Sequence, residues 1–143
     1  MKTILCDINI FLDIFLNRQP YYNSSACVFS LVENGKINGY VCSLSFPVMF
    51  YLLSKENNAT SALKILEKIR AIFRVARVDE KVIDLSLASN FKDFEDAVQY
   101  YSSTLHKIDY LITRNKKDYI ESGLSVLTPE EFIILYEKKE YND

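Results

Sequence analysis

Five short runs, four of them largely apolar and one (73–78) alternating apolar with basic residues, each too brief for a helix, alternate along this chain with longer stretches whose apolar residues recur at helical spacing. The runs are 3–7 (TILCD), 39–42, 73–78, 109–113 and 125–127. A helix is expected next after the first run. Further helices are expected near 23–33, 45–54, 59–71, 79–89 and 94–105, and a last one after Thr128-Pro129-Glu130-Glu131, which reads as N-cap, first-turn proline and capping box. Asn23 or Ser24 serves as the cap of the 23–33 helix and Asp79 as that of the 79–89 helix, where Val82, Leu85 and Ile83 turn inward. Strands separated by helices predict a three-layer α/β/α sandwich around a central, mostly parallel sheet. At 143 residues this makes one domain, 1–137, and a frayed polar tail, 138–143.

Three glycines, Gly35, Gly39 and Gly123, exclude two large classes, because neither a GxGxxG dinucleotide loop nor a GxxxxGK[ST] phosphate loop can be written with them. Lys and Arg number 17 against 19 Asp and Glu, so the net charge of −2 offers no global basic field to a polyanion. Cys6, Cys27 and Cys42 lack zinc or disulfide spacing and read as buried free thiols in a reducing cytoplasm. Asp7 and Asp13 interrupt the N-terminal apolar run, against a signal peptide, and no apolar stretch reaches the ~18 residues of a membrane span.

Open parallel sheets bind ligands beyond the carboxyl ends of their strands. Asp7 ends the first run there, and Thr113, Arg114 and Asn115 end the fourth, with Asp118 three residues on. Asp93, Glu95 and Asp96 open the helix between. In a parallel sheet these segments meet at one edge, where carboxylates repel unless a cation sits among them. Oxygen-only donors suit Mg²⁺, and magnesium-assisted phosphodiester hydrolysis needs no nucleophilic side chain. The single His106 has no nucleophile beside it and reads as a helix C-terminal residue. Asp93 and Asp96 also suit a helix start on dipole grounds alone; Asp13 is expected to face solvent.

The motif Asp7-Ile8-Asn9-Ile10-Phe11-Leu12-Asp13 resembles the D-x-N-x-x-L-D opening of PIN-domain proteins. Asp93-Phe94-Glu95-Asp96-Ala97 is similar to their central acidic motif, and Thr113-Arg114-Asn115-Lys116-Lys117-Asp118-Tyr119 to their T-R-[DN]-x-x-D-[FY] segment. Val126-Leu127-Thr128-Pro129-Glu130-Glu131-Phe132 resembles the family's close, and the four motifs keep the family order. The resemblance implies an Mg²⁺- or Mn²⁺-dependent ribonuclease, often the toxin of a bacterial toxin–antitoxin pair, commonly dimeric and silenced by a small antitoxin. It implies Asp7, Asp93, Asp96 and Asp118 as catalytic acids, with the metal held by Asp7, Asp96 and Asp118 or Asn115. Asn9 would hold the first strand end, Thr113 would donate to a carboxylate or a metal-bound water, and Arg114 would orient Asp96 or contact phosphate.

One position departs from that pattern. Many active members carry a Glu early in the helix that here reads Ser45-Phe46-Pro47-Val48-Met49, and the place falls near Val48. Glu95 points about 100° away from Asp96 on its helix, which argues against its replacing that charge. A degenerate PIN fold that binds RNA or a protein without turnover is therefore the alternative to a nuclease. An aspartyl-phosphate domain is a third reading, but it expects a second Asp at position 9 and a late Lys, where Asn9 and Arg114 stand. For RNA, Lys64, Lys68, Arg70 and Arg74 form a basic strip that otherwise reads as a solvated helix face. Tyr21, Tyr22, Tyr100, Tyr101 and Tyr119 are candidates for stacking on bases or for packing.

Overall fold

The computed structural model describes residues 1–119 and 123–142, the last three by backbone alone. Strand β1 (Thr3–Cys6) leads into α1 (Ile8–Phe15) and α2 (Tyr22–Glu33); β2 (Asn38–Cys42) is followed by α3 (Ser45–Glu56) and α4 (Ala59–Ile72). Next come β3 (Arg74–Ala76), α5 (Glu80–Leu87), α6 (Phe94–Leu105) and β4 (Tyr110–Ile112). A 3₁₀ turn (Lys116–Tyr119), β5 (Ser125–Leu127) and α7 (Pro129–Asn142) complete the chain. The sheet order is β3-β2-β1-β4-β5 and every pairing is parallel, as the alternation predicts.

The central strand explains the layering. Ile4, Leu5 and Cys6 are fully buried, and successive side chains of a strand point to opposite faces. Ile4 and Cys6 pack with Phe11, Phe29, Phe73, Ile69 and Phe132 on one side, while Leu5 meets Leu111, Ala76 and Tyr119 on the other. Phe11 stands edge-on to Phe73 with ring centroids 5.0 Å apart. Gly39 lets Phe73 and Val32 lie directly against β2, since a Cβ there would sit 2.7 Å from both.

Local chemistry sets most element ends. Asn58 Oδ1 accepts from Ser61 N and Asp79 Oδ1 from Val82 N, capping α4 and α5. Thr128 and Glu131 form the reciprocal capping box of α7. Gly35, at φ +72°, follows the end of α2 in the left-handed conformation a helix terminus favours.

Several expectations are corrected. Helix α2 begins at Tyr22 and its cap residue is Tyr21, without a side-chain cap, rather than Asn23 or Ser24. Phe73 closes α4 instead of opening β3, because its ring fills the aromatic cluster. Leu85 is exposed, since α5 turns Val82 and Ser86 inward. Cys27 lies on the outer side of α2 and is exposed, unlike Cys6 and Cys42. The polar stretch 138–142 continues α7 as helix; residue 143 is outside the described residues. Among the described residues no helix is long and apolar enough to cross a membrane.

Candidate active site

The parallel ladders run one residue past the strands and carry Asp7, Thr113 and Ser43 to a common edge. Asp7 N donates to Ile112 O, Thr113 N to Leu127 O and Ser43 N to Ala76 O. Asp7 occupies the cap position of α1 in an extended conformation, yet its side chain makes no cap bond. It is free to point across the edge toward α6, and it is 94% removed from solvent.

Both carboxylate oxygens of Asp7 are held. Thr113 Oγ1 donates to Oδ2 at 3.0 Å, and Gln99 Nε2 donates to Oδ1 at 3.2 Å. Gln99 Nε2 also donates to the Tyr119 hydroxyl at 3.3 Å, which in turn donates to Asp96 Oδ1 at 3.1 Å. Asp7 and Asp96, 89 residues apart in sequence, are thus joined through two buried intermediaries. Burial raises the Asp7 pKa above the usual carboxylate range, opposed by the bonds from Gln99 and Thr113. Burial first, and then the charge of Asp93, raise Asp96 to about 7, with Asp7 and Asp118 adding to the shift. Tyr119 is pushed far above its ordinary value by burial and by these acids, so its hydroxyl stays protonated and a donor.

A cavity of about 420 Å³ opens beside Asp96, lined also by Asn90, Lys92, Asp93, Lys117 and Asp118. Asp93 spends Oδ1 on capping α6 through Asp96 N, the plain role open to it from sequence. Asp118 is exposed in the 3₁₀ turn and Asn115 is exposed beside it, its N–H bonded to Thr113 Oγ1. The structure therefore gathers Asp7, Asp93, Asp96 and Asp118 on one edge, and among the described residues no three of the chain's acids, cysteines or histidines form a preassembled metal cluster.

Other sequence candidates lie elsewhere. Asp13 is fully buried, not solvent-facing: Arg114 Nη2 donates to its Oδ1 at 3.1 Å and Arg114 Nε lies 2.9 Å from its Oδ2, an ionic contact off the N–H direction. Arg114 is thereby committed to Asp13, with its guanidinium 3.9 Å above the Tyr21 ring, and does not orient Asp96. Asn9 Oδ1 accepts from Arg18 Nη1 at 3.4 Å rather than bracing the end of β1. Lys64, Lys68, Arg70 and Arg74 are exposed on α4 and β3, with β2 between β3 and β1. His106 follows α6, its Nε2 accepting from Arg77 N, a structural role. Sequence reasoning missed Gln99 as a carboxylate holder and Lys92 and Lys117 as the cations beside Asp96. The lysines carried one signal, their adjacency in sequence to Asp93 and Asp118, and Gln99 carried none.

The donor set fits a hard divalent ion. It is oxygen-only, its carboxylates repel one another, and Gln99 Oε1 is buried without a hydrogen-bond partner. Mg²⁺ typically keeps several waters and takes one or two carboxylates, so a preassembled cluster of three is not required.

The PIN domain family model matches residues 3–117. Ribonuclease VapC1 of Aquifex aeolicus (strain VF5) is 30% identical over 135 residues, covering 92% of this chain and 93% of that protein. In fold, the chain is similar to DNA-bound VapBC from Salmonella typhimurium, with a TM-score of 0.68 at 13% identity over 90% of this chain and 99% of the other. FitAcB from Neisseria gonorrhoeae superposes with a TM-score of 0.67 at 16% identity, over 88% and 97%. With its motifs in family order and a family match across most of its length, the chain belongs to the PIN domain family.

Proposed function

We propose that this protein is a divalent-metal-dependent endoribonuclease, the toxin of a toxin–antitoxin pair, hydrolysing RNA phosphodiester bonds. The observation that carries the reading is the buried Asp7 carboxylate at the end of β1, joined through Gln99 and Tyr119 to Asp96. Its side chain makes no cap bond to α1; both its oxygens are instead held at the strand edge by Thr113 and Gln99. Similarity to Ribonuclease VapC1 gives the substrate class. The VapBC and FitAB structures, which are complexes, support a small antitoxin partner.

Asp7 and Asp96, with Asp118 or Asn115 at the rim, would hold Mg²⁺ or Mn²⁺. When bound, the ion polarises the phosphoryl group and makes water acidic enough to attack at neutral pH. Thr113 and Gln99 hold Asp7 in one orientation, and the Tyr119 hydroxyl does the same for Asp96. Lys92 and Lys117 neutralise phosphates of an RNA strand entering the cavity, while Lys64, Lys68, Arg70 and Arg74 offer a second, more distant basic surface. The reading includes a cytoplasmic homodimer, as such toxins commonly are.

Incubation of purified protein with labelled RNA and Mn²⁺ tests the reading. Products are expected with the metal and none with EDTA. The stretch around Val48, where the family resemblance leads one to expect an acid and none stands, favours a second reading as a non-catalytic RNA- or protein-binding module. Stable RNA binding without products at millimolar Mn²⁺ would select it.

A further inference from the structure

The helical rotation that turns Glu95 away from Asp96 turns it toward Val48. Glu95, Gln99 and Val48 line one pocket of about 320 Å³ between α6 and the start of α3, together with Ser45 and Cys42. Glu95 and Gln99 are one helical turn apart and share a face of α6. A carboxylate therefore reaches, from the opposite wall, the pocket where the α3 acid is missing.

Gln99 supplies the second observation. The ionised Asp7 carboxylate, the form that binds a cation, can only accept, and the Tyr119 hydroxyl already donates to Asp96, so in that form both amide hydrogens of Gln99 are spent on those two oxygens. This fixes which end of the amide is the oxygen. Oε1 is left facing away from both, in a side chain 99% buried and lining the pocket, with no hydrogen-bond partner. A buried carbonyl oxygen without a donor is the partner a cation lacks.

We propose that Glu95 and Gln99 Oε1 form a divalent-cation subsite on the α3 side of Asp7, with Glu95 supplying from α6 the charge that Val48 cannot supply from α3. This rests on the metal-dependent nuclease reading and deepens it. Water completes the coordination, as is usual for Mg²⁺ and Mn²⁺ held by few protein oxygens. Gln99 then has two duties, its nitrogen holding Asp7 and its oxygen facing the ion.

The test is Mn²⁺ titration of the full chain read by melting temperature, with free Mn²⁺ followed by electron paramagnetic resonance, neither of which requires turnover. Four proteins are compared: wild type, Glu95→Gln, Val48→Glu, and the double variant Glu95→Gln/Val48→Glu. Because affinity follows the charge count of the ligands, Glu95→Gln should raise the Mn²⁺ midpoint by about tenfold or more. The double variant, which moves the carboxylate across the pocket, should return it to within about threefold of wild type, and Val48→Glu alone should lower it. Glu95 is exposed at the pocket mouth, so Glu95→Gln should fold, and a metal-free melt checks this. A Glu95→Gln midpoint equal to wild type, or a double variant no tighter than the single, overturns the subsite. If Asp7→Asn still loses the Mn²⁺ response in that case, the nuclease reading stands without it. Absence of any Mn²⁺ response in wild type overturns both.

Discussion

Gln99 holds Asp7 across 92 residues of sequence, its amide nitrogen 3.2 Å from Oδ1, and neither side chain is exposed. A neutral amide does what a lysine or arginine would do at greater electrostatic cost to cation binding, since it orients the carboxylate without cancelling its charge.

Replacing Gln99 with Met keeps the volume and removes the donors. Loss of a hydrogen bond to a charged group costs about 2 kcal/mol, which lowers the melting temperature by roughly 6 °C in a chain of this size. Cleavage should fall about 10–100-fold, the usual effect of losing a group that orients a metal ligand. Calorimetry and a cleavage assay on the same preparation check both.

The raised acids make metal-free stability fall as pH rises. Asp96 titrates at about 7 in the folded protein and near the ordinary carboxylate value when unfolded. Between those values the folded state holds a proton that the unfolded state has released, so stability is greatest below the unfolded pKa and is lost as pH climbs through about 7. Asp7 and Glu95 are raised too and push the same way. Urea denaturation from pH 4 to 8 should show the decline without metal, a shallower one in Asp96→Asn, and a flattened one in millimolar Mg²⁺.

Arg114→Met should be among the most damaging single changes outside the site. It leaves the fully buried Asp13 with Arg18 alone, 4.0 Å away, and breaking a buried pair from one side costs about 3–5 kcal/mol. Arg114→Lys restores charge without the fork or the stacking over Tyr21, and should recover only part of the loss. The double change Asp13→Asn/Arg114→Met should be milder than Arg114→Met, a non-additivity that denaturation midpoints reveal.

The same pair shows where sequence reasoning stops. The strands were legible because short runs rich in apolar residues, set between helical stretches, have few other readings, and the α7 capping box was legible because its partners are three residues apart. The start of α2 was not, since Tyr21 makes no side-chain cap. The burial of Asp13 depends on an arginine 101 residues away, so its local pattern reads as solvent-facing. Asp7 was legible from its place at the end of β1. Gln99 was not, because nothing in the sequence of α6 distinguishes an amide facing a carboxylate from one facing solvent.

The RNA path should follow the lysines beside the carboxylates. Lys92→Ala and Lys117→Ala are each expected to reduce the slope of log affinity against log salt by about 1. Lys64→Ala and Lys68→Ala, on α4, should change it less for short oligonucleotides. Binding of a fluorescent RNA to the Asp7→Asn protein, which avoids turnover, gives the slopes.

Cleavage of labelled RNA by wild type and Asp7→Asn, purified in parallel and assayed with Mn²⁺ or with EDTA, is the most direct measurement. Wild type should yield products only with Mn²⁺. Asp7→Asn should fall by more than the about 10–100-fold that follows loss of a group merely supporting a ligand. Equal cleavage by Asp7→Asn, or undiminished cleavage by wild type in EDTA, would contradict a metal-dependent ribonuclease centred on Asp7.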